Sequence, residues 1–335
     1  MATSRKYRVA VTATEDFPVS LPPVRQALKG IASVKIVPLP FRPLSAAEGA
    51  RFAKMFEGVH GILVRPGYIT PVLLDRLPDL KVVSVHGAGF DRVDVKACTM
   101  RGIVVTSTPG ANADAVAELT VGLMLSVVRQ IPRSAERVRN DRVWGEARHT
   151  GTELKGKTLG LVGYGQIGVR VAAIAQGFGM KICASDPGLT SAEIHARGAR
   201  PVTLEVLLAS SDIVSLHAPL IPATHHMIDR RAISKMKKGA FLVNAARGPL
   251  IDEDALVRAL KSGRLGGAAL DALEGEPPDP ASPIFDAPNI VLTPHMAGST
   301  VECLEATART AAEDIARVLQ NKRAKYPVNK AVRRR

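Results

Sequence analysis

The 335-residue chain is 46% hydrophobic and 23% charged, long enough for two domains with separate cores and a cleft between them. Its formal charge is +14, but Lys322–Arg335 holds seven basic residues and no acid, so half of the excess lies in a stretch read as a solvated tail. The body is only mildly basic, and neither nucleic acid nor a membrane is expected as a partner. Cys98, Cys183 and Cys303 show no metal-ligand spacing and no apolar run nears the ~18 residues of a membrane span, so neither a structural zinc site nor a membrane span is suggested and an unprocessed cytoplasmic protein with reduced thiols is expected.

From the N-terminus, RVAVTA at 8–13, SVKIVPL at 33–39, GILVR at 61–65, KVVSVH at 81–86 and IVVTS at 103–107 alternate with amphipathic segments. Such alternation predicts a parallel sheet covered by helices. TPGANADAVAELTVGLMLSVVRQIP at 108–132 reads as one long helix, and the polar stretch 133–156 as an arm whose Trp144 belongs in a subunit or domain interface. Strands resume with TLGLVG at 158–163, KICASD at 181–186, DIVSLHA at 212–218, AFLVNAA at 240–246, GAALDAL at 267–273 and NIVLTPH at 289–295, a second parallel sheet. The helical pattern from 299 to 320, with Ser299 or Thr300 as N-cap, returns the chain to the first domain. The first domain is therefore expected at 1–107 and 297–335, and the second at 108–296.

In TLGLVGYGQIG, Gly163, Gly165 and Gly168 follow an apolar strand and open a helix, and Asp186 ends the next strand. Gly163 permits the tight turn, Gly165 lets a pyrophosphate approach, and Gly168 allows close helix packing, while the helix N-terminus offers amides and a positive dipole. Asp186 accepts the adenosine ribose hydroxyls and repels a 2′-phosphate, so NAD is expected rather than NADP.

The stretch AFLVNAARGPLIDEDALV at 240–257 sets Arg247 at the mouth of an apolar strand, where burying a guanidinium is costly unless an anion meets it. Asp271, Glu276 and His295 lie beyond later strands, and in an open α/β sheet ligands bind outside the carboxyl ends of strands. Oxidising an alcohol beside a carboxylate needs an anchor, a base and a group that orients the base: Arg247, His295 and Glu276 respectively. His217 borders the adenine through its backbone. His225 and His226 read as surface loop residues, and no histidine is expected to hold a metal.

LVRPG, HGAGFDRVDVKAC, STPGANADAVAELTVGLML, GTELKGKTLGLVGYGQIG, SLHAPL, NAARGPLIDEDAL, GAALDALEGEPP and LTPHMAGST together resemble the D-isomer-specific 2-hydroxyacid dehydrogenases, phosphoglycerate dehydrogenases most of all, over nearly the whole chain. The resemblance implies an α/β protein of two doubly wound parallel-sheet domains, with a Rossmann NAD domain inserted in a smaller flavodoxin-like substrate domain. It also implies a cleft active site and a homodimer joined through the NAD domains. The family's catalytic Arg, Glu and His fall on Arg247, Glu276 and His295. Its carboxylate-holding loop falls on Gly87, Ala88 and Gly89, its pyrophosphate amides on Gln166 and Ile167, and the acid near the nicotinamide on Asp271. Ala245 and Gly298 fall at further cofactor positions.

Departures are the second acid Glu274 in LEGEP and Ala272-Leu273 in place of Val-Phe. The C-terminal regulatory domain of longer phosphoglycerate dehydrogenases, and with it serine feedback, is not expected. The implied substrate is a small anionic 2-hydroxy or 2-keto acid, foremost the pair 3-phosphoglycerate and 3-phosphohydroxypyruvate. Hydroxypyruvate or glyoxylate reduction on the same residues is the alternative, and an NAD-sensing co-repressor-like binding protein a further one. Arg65 in GILVRPG matches an arginine on the substrate side of phosphoglycerate dehydrogenases and is assigned to a distal phosphate; the competing assignment pairs it with Asp75 on the surface.

Overall fold

The computed structural model describes residues 7–142, 144, 145, 150–329 and 332, and the chain divides into two units, 1–112 with 298–335 and 113–297. The first unit opens with β1 (Tyr7–Thr12), α1 (Leu21–Ala27), β2 (Ala32–Val37), α2 (Ala46–Met55), β3 (Gly61–Val64), α3 (Pro71–Leu74), β4 (Val82–Val85), α4 (Val95–Met100) and β5 (Val104–Thr106). Its five strands are parallel in the order β2-β1-β3-β4-β5, and all four residues of β3 are buried, as expected where helices cover both faces. The order reverses between β1 and β3, so the carboxyl ends of those two strands frame the usual ligand position of such a sheet.

The second unit follows as α5 (Ala113–Val128), α6 (Ile131–Glu136), β6 (Thr158–Val162), α7 (Gln166–Gly177), β7 (Lys181–Ser185), α8 (Ser191–Ala196), β8 (Arg200–Pro201), α9 (Leu204–Ser210), β9 (Ile213–Leu216), α10 (Arg230–Lys235), β10 (Ala240–Asn244), α11 (Glu253–Lys261), β11 (Leu265–Leu270) and β12 (Ile290–Leu292). All seven strands are parallel in the order β12-β11-β10-β9-β6-β7-β8, with the reversal between β6 and β9. One face of this sheet packs under α5 through Ala117, Val121 and Met124 with Leu159, Leu161 and Val243; the other packs Leu242, Leu256 and Leu260 with Val214. Helix α12 (Val301–Leu319) then belongs to the first unit, where Ala308, Ala311, Ala312 and Ile315 meet Val9, Val11, Leu63 and Val82. The spacing of those four positions puts them on one helical face, and three alanines let the helix approach the sheet closely.

Several expectations need correction. The long helix of 108–132 starts at Ala113 and stops at Val128, because Gln130 turns left-handed at φ +53° and Pro132, which lacks an amide for a helix interior, enters the first turn of α6. The polar arm carries α6 and a π-helical turn, Arg137–Asp141, and Trp144 is 90% exposed within the chain; residues 143 and 146–149 of that arm lie outside the described residues. The basic stretch is not a free tail up to Asn329. Its Val328 amide donates to the Val105 carbonyl at 2.8 Å, and the Asn329 side chain accepts from Val105 N at 2.8 Å and donates to Ile103 O at 2.9 Å. The end of that stretch, 330, 331 and 333–335, is outside the described residues. The edge strand β8 has only two residues, too few for a periodic signal. Among the described residues no single helix is long and apolar enough to cross a membrane.

Candidate active site

Gly163 follows β6 where the strand order reverses. Its φ is +89° and a Cβ there would stand 2.7 Å from the carbonyl carbon of His217, so only glycine passes between the ends of β6 and β9. A Cβ on Gly165 would meet nothing within 4 Å, leaving that face open to a ligand, whereas one on Gly168 would stand 2.6 Å from Gly163 O, so the third glycine lets α7 pack against its own strand. Helix α7 makes its first intrahelical bond from Val169 N to Gly165 O at 3.1 Å, which leaves the amides of Gln166, Ile167 and Gly168 directed out of its N-terminus. Asp186 follows β7, and its Oδ2 accepts from Tyr164 N at 2.8 Å and its Oδ1 from Gly188 N at 2.9 Å. Both oxygens keep a lone pair for hydroxyl donors. Ala245 directly follows β10, and the His217 ring turns inward, its Nδ1 buried and its Nε2 3.0 Å from Ser215 Oγ. An open glycine, amides at a helix end and a fixed carboxylate are the parts a dinucleotide needs, and this chain's residues fit one.

Neighbouring strands β10, β11 and β12 lead to Arg247, Glu276 and His295. Asn244, the buried last residue of β10, accepts from Ala246 N at 3.0 Å and donates to Arg247 O at 2.8 Å, so one side chain shapes the turn that presents the half-buried arginine. His295 Nδ1 is 2.9 Å from both oxygens of Glu276. That contact requires the proton on Nδ1, which leaves the lone pair on Nε2 as the basic nitrogen. Nearby, burial and the charges of Glu274, Asp254 and Glu276 push the Glu253 carboxyl up, although the Glu274 amide opposes this.

His295 has φ +52°, a left-handed conformation that costs a non-glycine residue about 1–3 kcal/mol unless its surroundings impose it. Asp271 imposes it. The fully buried carboxylate accepts from Thr293 Oγ1 at 2.7 Å, Met296 N at 2.8 Å and Ala297 N at 2.8 Å, bracketing His295 on both sides. Beside the nicotinamide role expected of it, Asp271 uses both its oxygens to hold the histidine turn. Gly248 is a further residue that sequence reasoning missed. A Cβ there would fall 1.9 Å from the Leu273 carbonyl carbon and 2.3 Å from Glu274 N, so the Arg247 turn rests directly on the backbone leading to Glu276. Polar Asn244 at the end of an apolar strand was the available signal for the first of these supports; Gly248 gave none beyond its place beside a proline.

In the first unit Arg65 directly follows β3, at the strand reversal, and Thr12 of β1 fixes its turn: Arg65 N donates to Thr12 Oγ1 at 3.0 Å and that hydroxyl donates to Pro66 O at 2.8 Å. Its Nη2 donates to Ser299 Oγ at 3.1 Å, while Nη1 is buried with no hydrogen-bond partner among the described residues. Burial pushes the guanidinium pKa down, and no carboxylate is among the groups that oppose this. The pairing with Asp75 does not occur, because Asp75 is bound by Arg101. Of the two expected caps, Thr300 accepts from Cys303 N at 3.1 Å, and Ser299 serves Arg65 instead. Sequence reasoning also missed His86, after β4. Its buried Nε2 has no partner, and burial, then the charge of Arg65, pushes its pKa down to about 4.

Gly87 has φ +151° and donates its amide to Thr108 Oγ1 at 3.0 Å, so of the three loop residues read as carboxylate donors only Ala88 and Gly89 keep amides without a partner among the described residues. Gly298 belongs to this first unit, where its Cβ position lies 3.6 Å from Cys303 Sγ.

His217, like His86, is held at a pKa of about 4 by burial, against 6.5 for a free histidine. A depressed histidine pKa means the unfolded chain binds protons that the fold refuses, so stability is complete above pH 6.5 and falls as pH drops toward about 4. Melting temperatures are expected to fall across that window, and His217→Asn is expected to flatten the slope; a slope unchanged in the variant would remove His217 as a contributor.

A family model described as D-isomer specific 2-hydroxyacid dehydrogenase, NAD binding domain, matches residues 121–297. A glyoxylate reductase of Thermofilum pendens is 44% identical over 264 residues, 78% of this chain and 78% of that protein. A D-3-phosphoglycerate dehydrogenase of Methanocaldococcus jannaschii is 41% identical over 80% of this chain, which spans only 51% of that protein's length. The crystal structure of a glyoxylate reductase from Paecilomyes thermophila superimposes with a TM-score of 0.83 at 30% identity, covering 97% of this chain and 99% of that one.

Proposed function

Because the chain belongs to the D-isomer specific 2-hydroxyacid dehydrogenase family, we propose that this NAD-dependent oxidoreductase interconverts 3-phosphoglycerate and 3-phosphohydroxypyruvate. The observation that carries the choice is Arg65. A half-buried cation at the strand reversal of the first unit, with one buried guanidinium nitrogen unpartnered among the described residues and no carboxylate beside it, calls for an anion from outside the chain. Neutral His86 beside it adds a donor that brings no charge of its own.

In this reading Arg247 and the amides of Ala88 and Gly89 hold the substrate carboxylate, and Arg65 holds the distal phosphate. His295 Nε2 takes the proton from the C2 hydroxyl in oxidation and returns it in reduction, while Glu276 fixes the ring and stabilises the imidazolium. Bound NAD supplies the two-electron acceptor for the hydride at C2. Gly163, Gly165 and the amides of Gln166 and Ile167 hold its pyrophosphate, and Asp186 holds its adenosine ribose. Since a 2′-phosphate would meet the Asp186 carboxylate, catalytic efficiency is expected to be higher with NAD than with NADP, and Asp186→Ala is expected to narrow that gap. Equal efficiencies in the wild type would remove Asp186 as the discriminator.

Arg65→Ala is expected to raise KM for 3-phosphohydroxypyruvate about tenfold or more, as the loss of a charge-assisted contact of roughly 1.5–3 kcal/mol requires. KM for glyoxylate should stay nearly constant. Glyoxylate or hydroxypyruvate reduction is the second reading, favoured by the glyoxylate reductase relatives matched along most of their length. Equal losses on both substrates, or no turnover of the phosphorylated one, would select it.

A further inference from the structure

His225 and His226 lie in the loop between β9 and α10, and consecutive side chains in a strand or helix point well apart. Here His226 is left-handed at φ +50°, and the two imidazoles lie side by side with centroids 4.0 Å apart and planes inclined by 30°. Glu274, from the loop after β11, brings Oε1 to 2.7 Å from His226 Nε2. One ligand atom from each of the three side chains falls within 4.8 Å of the other two. The His225 ring is exposed and has no hydrogen-bond partner among the described residues.

We propose that His225, His226 and Glu274 form a binding site for a divalent cation of the zinc class. Imidazole nitrogens with one carboxylate oxygen suit zinc, nickel or copper rather than magnesium or calcium, which take oxygen donors. Bonds of about 2.0–2.2 Å to a tetrahedral zinc set neighbouring donors roughly 3.3 Å apart. The His226–Glu274 pair, now 2.7 Å apart around a shared proton, opens slightly when the cation replaces that proton, and His225 closes by side-chain rotation. Three protein ligands leave the fourth position to water, and the exposure of His225 gives the ion a way in.

The backbone holds these parts in place. Thr224 Oγ1 accepts from Ile221 N at 2.9 Å and donates to Pro219 O at 2.7 Å, and His226 N donates to Pro249 O at 2.8 Å. Pro249 follows Gly248, whose backbone lies against Leu273 and Glu274. Both halves of the site therefore rest on the same short turn, and binding requires little reorganisation.

The test is a Zn²⁺ titration of the untagged, chelator-treated protein near neutral pH, by calorimetry and by competition with a chromophoric chelator. One equivalent is expected to bind with a Kd of about 10 µM or tighter, with His225→Ala and Glu274→Gln each weakening it about tenfold or more. His195→Ala, which removes a histidine of α8, is expected to leave the Kd unchanged. Melting curves in chelator confirm that the His225 variant is folded. Absence of a saturable one-to-one site, or a Kd that His225→Ala does not move, would overturn the proposal.

Discussion

His295→Ala is expected to lower kcat by about 10²- to 10⁴-fold while leaving NAD affinity near its starting value. The range is that of a general acid–base group, and the geometry assigns the group. Nδ1 is 2.9 Å from both oxygens of Glu276, so the proton stays there and Nε2 alone can exchange one with substrate. The ring sits on a carboxylate rather than in the glycine cradle, which is why calorimetric NAD binding should survive its removal. Glu276→Gln provides the companion measurement. It keeps a partner for Nδ1 but removes the negative charge that supports the imidazolium, so the acid limb of the pH–rate profile should move to lower pH with a smaller loss of rate. Near-normal turnover in His295→Ala would place the base elsewhere, and a profile unmoved in Glu276→Gln would reduce Glu276 to packing.

Asp271→Ala is expected to lower both the melting temperature and kcat, the latter about 10²-fold, with KM changed much less. Removing this buried carboxylate strands three donors, the part-buried Thr293 Oγ1 and Met296 N and the buried Ala297 N, the last at roughly 1–3 kcal/mol if nothing replaces the lost acceptor. The turn that keeps His295 left-handed then relaxes, and a base misplaced by about 1 Å costs on the order of 10² in rate. Asp271 thus acts as a positioning residue. Asp271→Asn, with one oxygen still able to accept, should recover part of the rate, whereas a residue needed only for folding would recover stability alone. Equal kcat in Asp271→Ala and wild type, measured well below the melting transition, would break the link between this carboxylate and the base.

Both parallel sheets, and the strand ends that carry Arg247, Glu276 and His295, were legible because alternating apolar runs and turn residues are local signals. The supports of the site were not local. Arg65 and Ser299 are 234 positions apart, and no periodicity links them; the sequence offered Ser299 as a helix cap, a role that Thr300 takes. Asp271 also supports the turn of His295, and the donors it holds lie 22 to 26 positions later, beyond the reach of any local pattern. The basic stretch after Lys322 read as solvated on charge alone, since Asn329 finds its partners on β5 and on Ile103 just before it only once the sheet exists. Gln130, where the long helix breaks, carries no helix-breaking character of its own; the neighbouring Pro132 was the signal, and the apolar run before it outweighed it.

Gly248 sets a limit on how this protein can be changed. The turn bearing Arg247 touches the backbone before Glu276 at a point where even one methyl group would collide with a carbonyl carbon 1.9 Å away. A library that randomises 245–250 in search of a new substrate preference should therefore return glycine at 248 in nearly every active clone, whatever accompanies it. Variation that survives selection is to be looked for in the first unit, around Arg65 and His86, where a side chain can be exchanged without moving the groups that handle the proton.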